Sequence, residues 1–291
     1  MLTAWHDDAV STRTRTDRCP GVLRPWIADD GALVRLRLAG GPLRHLHDLL
    51  DLAERWGDGA LHLTSRANVQ LRGIGHTDGC VPSDFVDAVQ ELGLLPAPSH
   101  ELVRNIEISP LTGRAGGRAD VRPVAAELDR LLCAEPAFAA LPGRFLFVLD
   151  DGRGDIAWRP LDLGLLALDA ATVQLRLGAA HWGATVPLHA AAESLAELAR
   201  RFLEARGGGP EAVWHVDELD HPLAPEAPRD PRTRVQAEPW PFGIIEQRDG
   251  RVARHVAVPD GRLTRELAAD LPDEVLVTPW RSIVVPDLEP A

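Results

Sequence analysis

The chain has 291 residues, with 43 acidic side chains against 31 basic ones and a formal charge of −12. That balance excludes the broad basic footprint of a general nucleic-acid binder. The N-terminus is acidic, and no apolar run reaches the roughly eighteen residues of a membrane span, so the expectation is a soluble cytoplasmic protein with no membrane partner.

Residues 1–16 are polar and read as a loose N-terminus, with order expected from Asp17. From Leu33 to Leu38 apolar residues alternate with arginines at the period of a half-buried strand, and Gly40-Gly41-Pro42 ends it. Leu43 to Trp56 predicts a helix, because Leu46, Leu49, Leu50 and Ala53 recur on one face and Gly57 and Gly59 follow as a stop. Leu61 to Leu71 reads as one returning strand. Beyond Pro82 the pattern gives helices over 84–95, 123–133 and 187–206, and strands over 104–109, 145–150 and 172–178. Gly207-Gly208-Gly209-Pro210 breaks the last helix, and the proline-dense stretch up to Pro241 reads as a linker.

The segment after it repeats the first. Asp30-Gly31-Ala32-Leu33-Val34-Arg35 leads, through a helix, to Leu63-Thr64-Ser65-Arg66-Ala67-Asn68-Val69-Gln70. Asp249-Gly250-Arg251-Val252-Ala253-Arg254 leads, through a shorter helix, to Val277-Thr278-Pro279-Trp280-Arg281-Ser282-Ile283. One strand–helix–strand unit built twice suits two half-domains facing each other across a ligand. The boundaries that follow are 17–80 for the first half-domain, 81–207 for an α/β domain, 208–240 for the linker and 241–291 for the second half-domain.

The sequence contains no lysine or tyrosine, so every fixed positive charge on a side chain is an arginine, a planar fork that binds carboxylates bidentately. Arg66, Arg104 and Arg144 each sit beside a turn-forming or polar residue, where a side chain can leave a sheet edge and point into a shared cleft. Cys19, Cys80 and Cys133 are odd in number and widely spaced, without a CxxC pair, so neither a disulfide framework nor a metal site follows from them. His215, Asp217 and His221 read as solvated linker residues rather than a metal site, and His76, Asp78 and Cys80 as a turn.

These segments resemble the nitrite and sulfite reductase hemoprotein family, and within it the precorrin-3B synthase branch of cobalamin biosynthesis. The resemblance implies an α+β fold: two ferredoxin-like half-domains related by an internal repeat, plus one α/β nitrite/sulfite reductase-type domain. It implies an oxidoreductase acting on a carboxylate-rich tetrapyrrole, siroheme or a precorrin, held among the domains. The Thr-Ser-Arg-Ala-Asn motif puts tetrapyrrole contacts on Arg66 and Asn68, the Arg-Asn motif on Arg104 and Asn105, and Leu-Pro-Gly-Arg-Phe on Arg144, with Arg281 a weaker candidate in the second repeat. Leu146 stands where sulfite-reducing members carry a second basic residue, which argues against oxyanion reduction. The family's 4Fe-4S cluster is held by two cysteine pairs in a second reductase domain, and no such pairs occur in this chain. The resemblance therefore leaves a second reading open, a non-catalytic tetrapyrrole-binding protein or a partner of a cluster-bearing subunit, with homodimerisation as a further possibility.

Overall fold

A computed structural model describes residues 19–236 and 240–290, so the expectation for residues 1–16 lies outside the described residues. In the first repeat, β1 (Trp26–Ala28) and β2 (Gly31–Leu36) form a tight hairpin, followed by α1 (Leu46–Trp56), β3 (Ala60–Leu63) and β4 (Val69–Ile74). The helix turns Leu46, Leu49, Leu50 and Ala53 inward, the spacing read from sequence. The single strand expected over 61–71 is two strands, β3 and β4, separated by a tight turn at residues 64–68.

Helix α2 (Ser83–Glu91) packs Phe85 and Val89 against α1 in the core of the first repeat. The central α/β unit contains β5 (Ile106–Ile108), α3 (Arg122–Ala134), β6 (Phe147–Asp150), β7 (Leu163–Ala167), β8 (Thr172–Leu177), β9 (His181–Pro187) and α4 (Ala191–Ala205). Its sheet runs β5-β6-β7-β8-β9, parallel across the first three strands and antiparallel across the last three. The apolar faces of α3 and α4 cover this sheet, with Phe138, Phe145, Phe147 and Phe202 at the centre of the core. Strands β7 and β9 are absent from the sequence reading.

The second repeat supplies β10 (Gly243–Glu246), β11 (Val252–Val256), β12 (Arg262–Thr264), the short α5 (Arg265–Ala268), β13 (Leu276–Val277) and β14 (Ile283–Leu288). Its sheet runs β10-β11-β14-β13, while β12 crosses over to pair with β3, so the first sheet runs β1-β2-β4-β3-β12. The exchange is reciprocal. Leu43, ahead of α1, makes both backbone bonds with Val275, ahead of β13 (2.8 and 2.9 Å). Asp273 then serves the exposed N-terminus of α1: its carbonyl accepts from the Leu46 N–H at 3.0 Å and its carboxylate from the His47 N–H at 3.1 Å. One core joins both repeats, from Leu46, Leu50 and Leu71 to Leu263, Ala268 and Ile283. Each repeat thus completes the other's sheet.

Both repeats bulge at the same place, between Ala32 and Val34 opposite β4 and between Val252 and Arg254 opposite β14. The register makes Arg35 the counterpart of His255, since these pair with Gln70 and Val284. Matching the two Asp-Gly dipeptides instead shifts the comparison by one residue, because the first hairpin turns over two residues and the second over five.

Candidate functional site

The turn between β3 and β4 is built by Thr64. Its N–H donates to the Asn68 carbonyl at 2.9 Å, its carbonyl accepts from Ala67 at 3.1 Å, and its hydroxyl accepts from the Arg66 and Asn68 N–H groups at 3.3 and 3.1 Å. Ala67 takes the left-handed conformation at φ 52°, which costs a residue with a Cβ about 1–2 kcal/mol. The second repeat copies this pattern: Thr278 binds Ser282, Arg281 at φ 59° donates to the Thr278 carbonyl, and the Thr278 hydroxyl accepts from Trp280 and Ser282. The counterpart of Arg66 is therefore Trp280, and that of Arg281 is Ala67. Arg281 is exposed and packs beside Gly261, which also lies against the Leu63 carbonyl at the exchanged strand β12.

The structure brings two of the predicted arginines together. The half-buried Arg66 donates from Nη1 to the carbonyl of the exposed Arg144 at 3.0 Å. Asn105 ties the same loop down, its amide donating to the Leu102 and Gly143 carbonyls at 3.0 and 2.8 Å. The Arg104 guanidinium turns away: it is buried and held bidentately by Asp129 of α3 at 2.6 and 2.7 Å, an ion pair that keeps it more basic than usual despite burial. Asn68 is buried, and its Oδ1 accepts from the Leu38 N–H at 3.1 Å.

Sequence reading missed Arg37. It lies just past the end of β2, is 3% exposed, and donates to Asn105 Oδ1 (3.0 Å) and to the carbonyls of Pro20 and Glu101 (3.1 and 2.7 Å). Its Nη2 and the Asn68 Nδ2 are buried without a hydrogen-bond partner among the described residues. Burial, then the neighbouring Arg35, pulls its pKa down to about 9, with Arg66 adding to the effect. Desolvation also lowers the pKa of Arg66, beside Arg144. The clue in the sequence was the alternation Arg35-Leu36-Arg37, but strand period alone does not say that the arginine face is buried.

Carboxylates face this cluster from three directions. Glu101 accepts from the Val22 and Leu23 N–H groups at 2.6 and 3.1 Å. The fully buried Glu107 takes Arg159 bidentately at 2.7 and 2.8 Å; burial nevertheless raises its pKa. The same guanidinium donates to the carbonyl of Ser65, clamping the Arg66 turn onto the α/β unit. Asp162 is buried beside His215, and desolvation lifts it to about 6. Among the described residues Arg37, Arg66, Arg144 and Arg159 thus gather here, and only Arg159 is held bidentately by a carboxylate. A desolvated, arginine-rich junction with two unused N–H donors, Arg37 Nη2 and Asn68 Nδ2, is suited to carboxylate groups of a ligand.

The thiols do not assemble. Cys19 lies near Arg37 and Arg66, Cys80 is exposed in the turn closed by Thr77, and Cys133 sits on α3 against Asp129. Among the described residues the potential metal-ligand groups are His45, Asp48 and Asp273 on the surface and Asp150, Asp151 and Asp155 in the interior, none with a cysteine. These residues do not fit a four-iron cluster, which needs four thiolates. The buried carboxylate trio belongs to a turn stitched by its own backbone: Asp150 accepts from Gly152, Gly154 and Ile156, and Asp155 from Ser109 and Trp240.

Comparison with known proteins supports a nitrite/sulfite reductase-type fold. Residues 28–78 match the family described as nitrite/sulfite reductase ferredoxin-like half domain. The precorrin-3B synthase of a Sinorhizobium species is 30% identical over 168 residues, covering 57% of this chain and 33% of that protein. The ferredoxin–nitrite reductase of Synechococcus elongatus is 29% identical over 216 residues, covering 64% of this chain and 41% of that one. The structure of NirA from Mycobacterium tuberculosis superposes with a TM-score of 0.69 at 19% identity, covering 94% of this chain and 59% of that one, a likeness of fold. Residues 28–78 thus carry a nitrite/sulfite reductase ferredoxin-like half-domain, and the chain is similar to precorrin-3B synthase and to ferredoxin–nitrite reductase. It spans between a third and three fifths of the length of these relatives. No helix among the described residues is long and apolar enough to cross a membrane.

Proposed function

We propose that this chain grips a carboxylate-rich tetrapyrrole at the junction of the first repeat and the α/β unit, as the substrate-binding portion of a precorrin-3B synthase-like oxidoreductase of corrinoid synthesis. The observation that carries the reading is the cluster of Arg37, Arg66 and Arg144 with the unpartnered donors Arg37 Nη2 and Asn68 Nδ2. Arg66 and Arg144 take carboxylates at the rim, and Arg37 and Asn68 hold a group that reaches inward. Arg104, neutralised by Asp129, and Asn105, saturated by two backbone carbonyls and Arg37, act as scaffold. Siroheme or a precorrin supplies the flat apolar ring and the carboxylates.

A charge-assisted hydrogen bond contributes about 1.5–3 kcal/mol net. Three of them fall near the 8 kcal/mol of micromolar binding only before ordering costs, so ring burial adds the remainder. Titrating the protein with uroporphyrin and following its absorbance tests the proposal. Arg66→Ala with Arg144→Ala should weaken binding tenfold or more, and equal binding by the double variant removes the assignment. A second reading, a cluster-free tetrapyrrole binder or a partner of a cluster-bearing subunit, is favoured by the dispersal of Cys19, Cys80 and Cys133. An iron and sulfide assay decides it: four irons per chain would exclude it.

A further inference from the structure

The segment 144–146 that carries one wall of the site is gripped from both sides. Arg66 donates to the Arg144 carbonyl, and Asp162 accepts the Leu146 N–H at 2.8 Å while returning its own N–H to the Leu146 carbonyl at 2.9 Å. The second oxygen of Asp162 accepts from the Val216 N–H at 3.1 Å, and His215 Nε2 stands 3.6 Å away. His215 Nδ1 accepts from the Asp217 N–H, so in the neutral ring the proton sits on Nε2, facing Asp162. The carboxylate is 1% exposed, whereas the imidazole side chain is 33% exposed, so His215 links an interior acid to solvent.

We infer that Asp162 and His215 form a proton-controlled gate on the anion site, in which the charge of Asp162 opposes ligand carboxylates at Arg66 and its protonation tightens their binding. The inference rests on the proposed tetrapyrrole reading and names a regulation of that same site. The other charged or titratable groups facing Arg66 are Arg37, Glu107 with its partner Arg159, Arg144, and Cys19; those near the dyad are Arg66 and Asp217. Glu107 is paired bidentately with Arg159, which leaves Asp162 as the carboxylate whose charge is free to change. Its protonation midpoint, about 6, falls where cellular pH varies. The sign follows directly: a polyanion prefers the neutral acid, so binding and proton uptake reinforce each other and affinity rises as pH falls through that midpoint.

Asp162→Asn keeps the shape but offers one acceptor where the carboxylate offers two, so its folding is checked by thermal melting. His215→Asn is the milder change, because asparagine can still accept from the Asp217 N–H. Uroporphyrin affinity is measured on the full chain from pH 5.5 to 8. Wild type should tighten about fivefold across the range, the order expected of one partly screened charge. Asp162→Asn should bind tightly with little pH dependence, and His215→Asn should move the midpoint upward, since the imidazole no longer favours the ionised acid. Wild type and both variants sharing one pH profile would overturn the gate while leaving the site intact. Failure of wild type to bind at any pH would instead remove the tetrapyrrole reading, and the gate with it.

Discussion

Arg159→Met should be the most revealing single change outside the ligand contacts. Arg159 makes three bonds, two to Glu107 and one to the Ser65 carbonyl, and its side chain is 10% exposed while that of Glu107 is 0% exposed. Removing it strands a buried carboxylate, a change that costs about 3–5 kcal/mol. Unfolding entropy near 2 cal/mol/K per residue converts this to a melting temperature lower by about 5–9 °C for a chain of this length. The loss should depend on pH. Without Arg159, Glu107 loses the hydrogen bonds that hold its pKa down, so the variant's folded state takes up a proton at higher pH than before. A group with a raised folded-state pKa contributes stability at low pH that disappears as pH rises through that value, so the deficit should be smaller at pH 5 than at pH 8. Urea denaturation at both pH values reads it. Adding Glu107→Leu should restore much of the loss, because no buried charge then remains, while leaving Ser65 unclamped and uroporphyrin binding impaired. A deficit under about 1 kcal/mol, or one equal at both pH values, would show that the pair is solvated and that the clamp argument is wrong.

Three further outcomes are expected. Arg104→Met should reduce stability by about 1–3 kcal/mol through loss of the Asp129 pair, yet change uroporphyrin affinity by less than twofold; a tenfold loss of affinity would return Arg104 to the site. Asp273→Ala should cost about 1 kcal/mol in urea denaturation by uncapping α1 from the opposite repeat, with a single transition, since the repeats share one core. Stability should fall between pH 5 and pH 8 by at least about 1.4 kcal/mol, the equivalent of one pKa unit, because burial lifts Asp150 to about 6 and Asp151 to about 7. The strongly lowered carboxylates, Asp230 and Asp287 at about 2, are ionised in both states across that window and leave the slope unchanged.

Local pattern made the helices legible. The i, i+3, i+4, i+7 spacing of Leu46, Leu49, Leu50 and Ala53 survives without knowledge of any partner, and so does the apolar face of α4. The break inside 61–71 was invisible because its left-handed residue is Ala67, which carries no turn signal, and because Thr64 closes the turn with a hydroxyl that any strand could contain. Strand β7 is buried on both faces and offers no alternation to read. The β12 exchange is wholly non-local, since nothing in Arg262-Leu263-Thr264 names Ala60–Leu63 as its partner. Arg66 and Arg144 could be picked from their turns; Arg37 could not, because its burial depends on Asn105 and Glu101, more than sixty residues away. His215, read as solvated linker, gains its role only from Asp162.

What separates binding arginines from structural ones is the partner's charge. Arg104, Arg114 and Arg122 are each met by a carboxylate, Asp129, Asp287 and Asp120, so their positive charge is spent inside the fold. The guanidinium bonds of Arg37 and Arg66 go to carbonyl and amide oxygens, which fix a guanidinium in direction without neutralising it. Burial depresses the basicity of both, with Arg35 and Arg66 adding to it at Arg37 and Arg144 at Arg66, a cost the fold tolerates at this junction. A polycarboxylate would relieve it, and would meet forks already oriented by backbone, so little side-chain entropy is lost on binding. The same logic makes Asp162 the sensitive member of the surroundings: at a site left positive by carbonyl-held arginines, one carboxylate that can shed its charge sets how strongly the remaining field reaches the ligand.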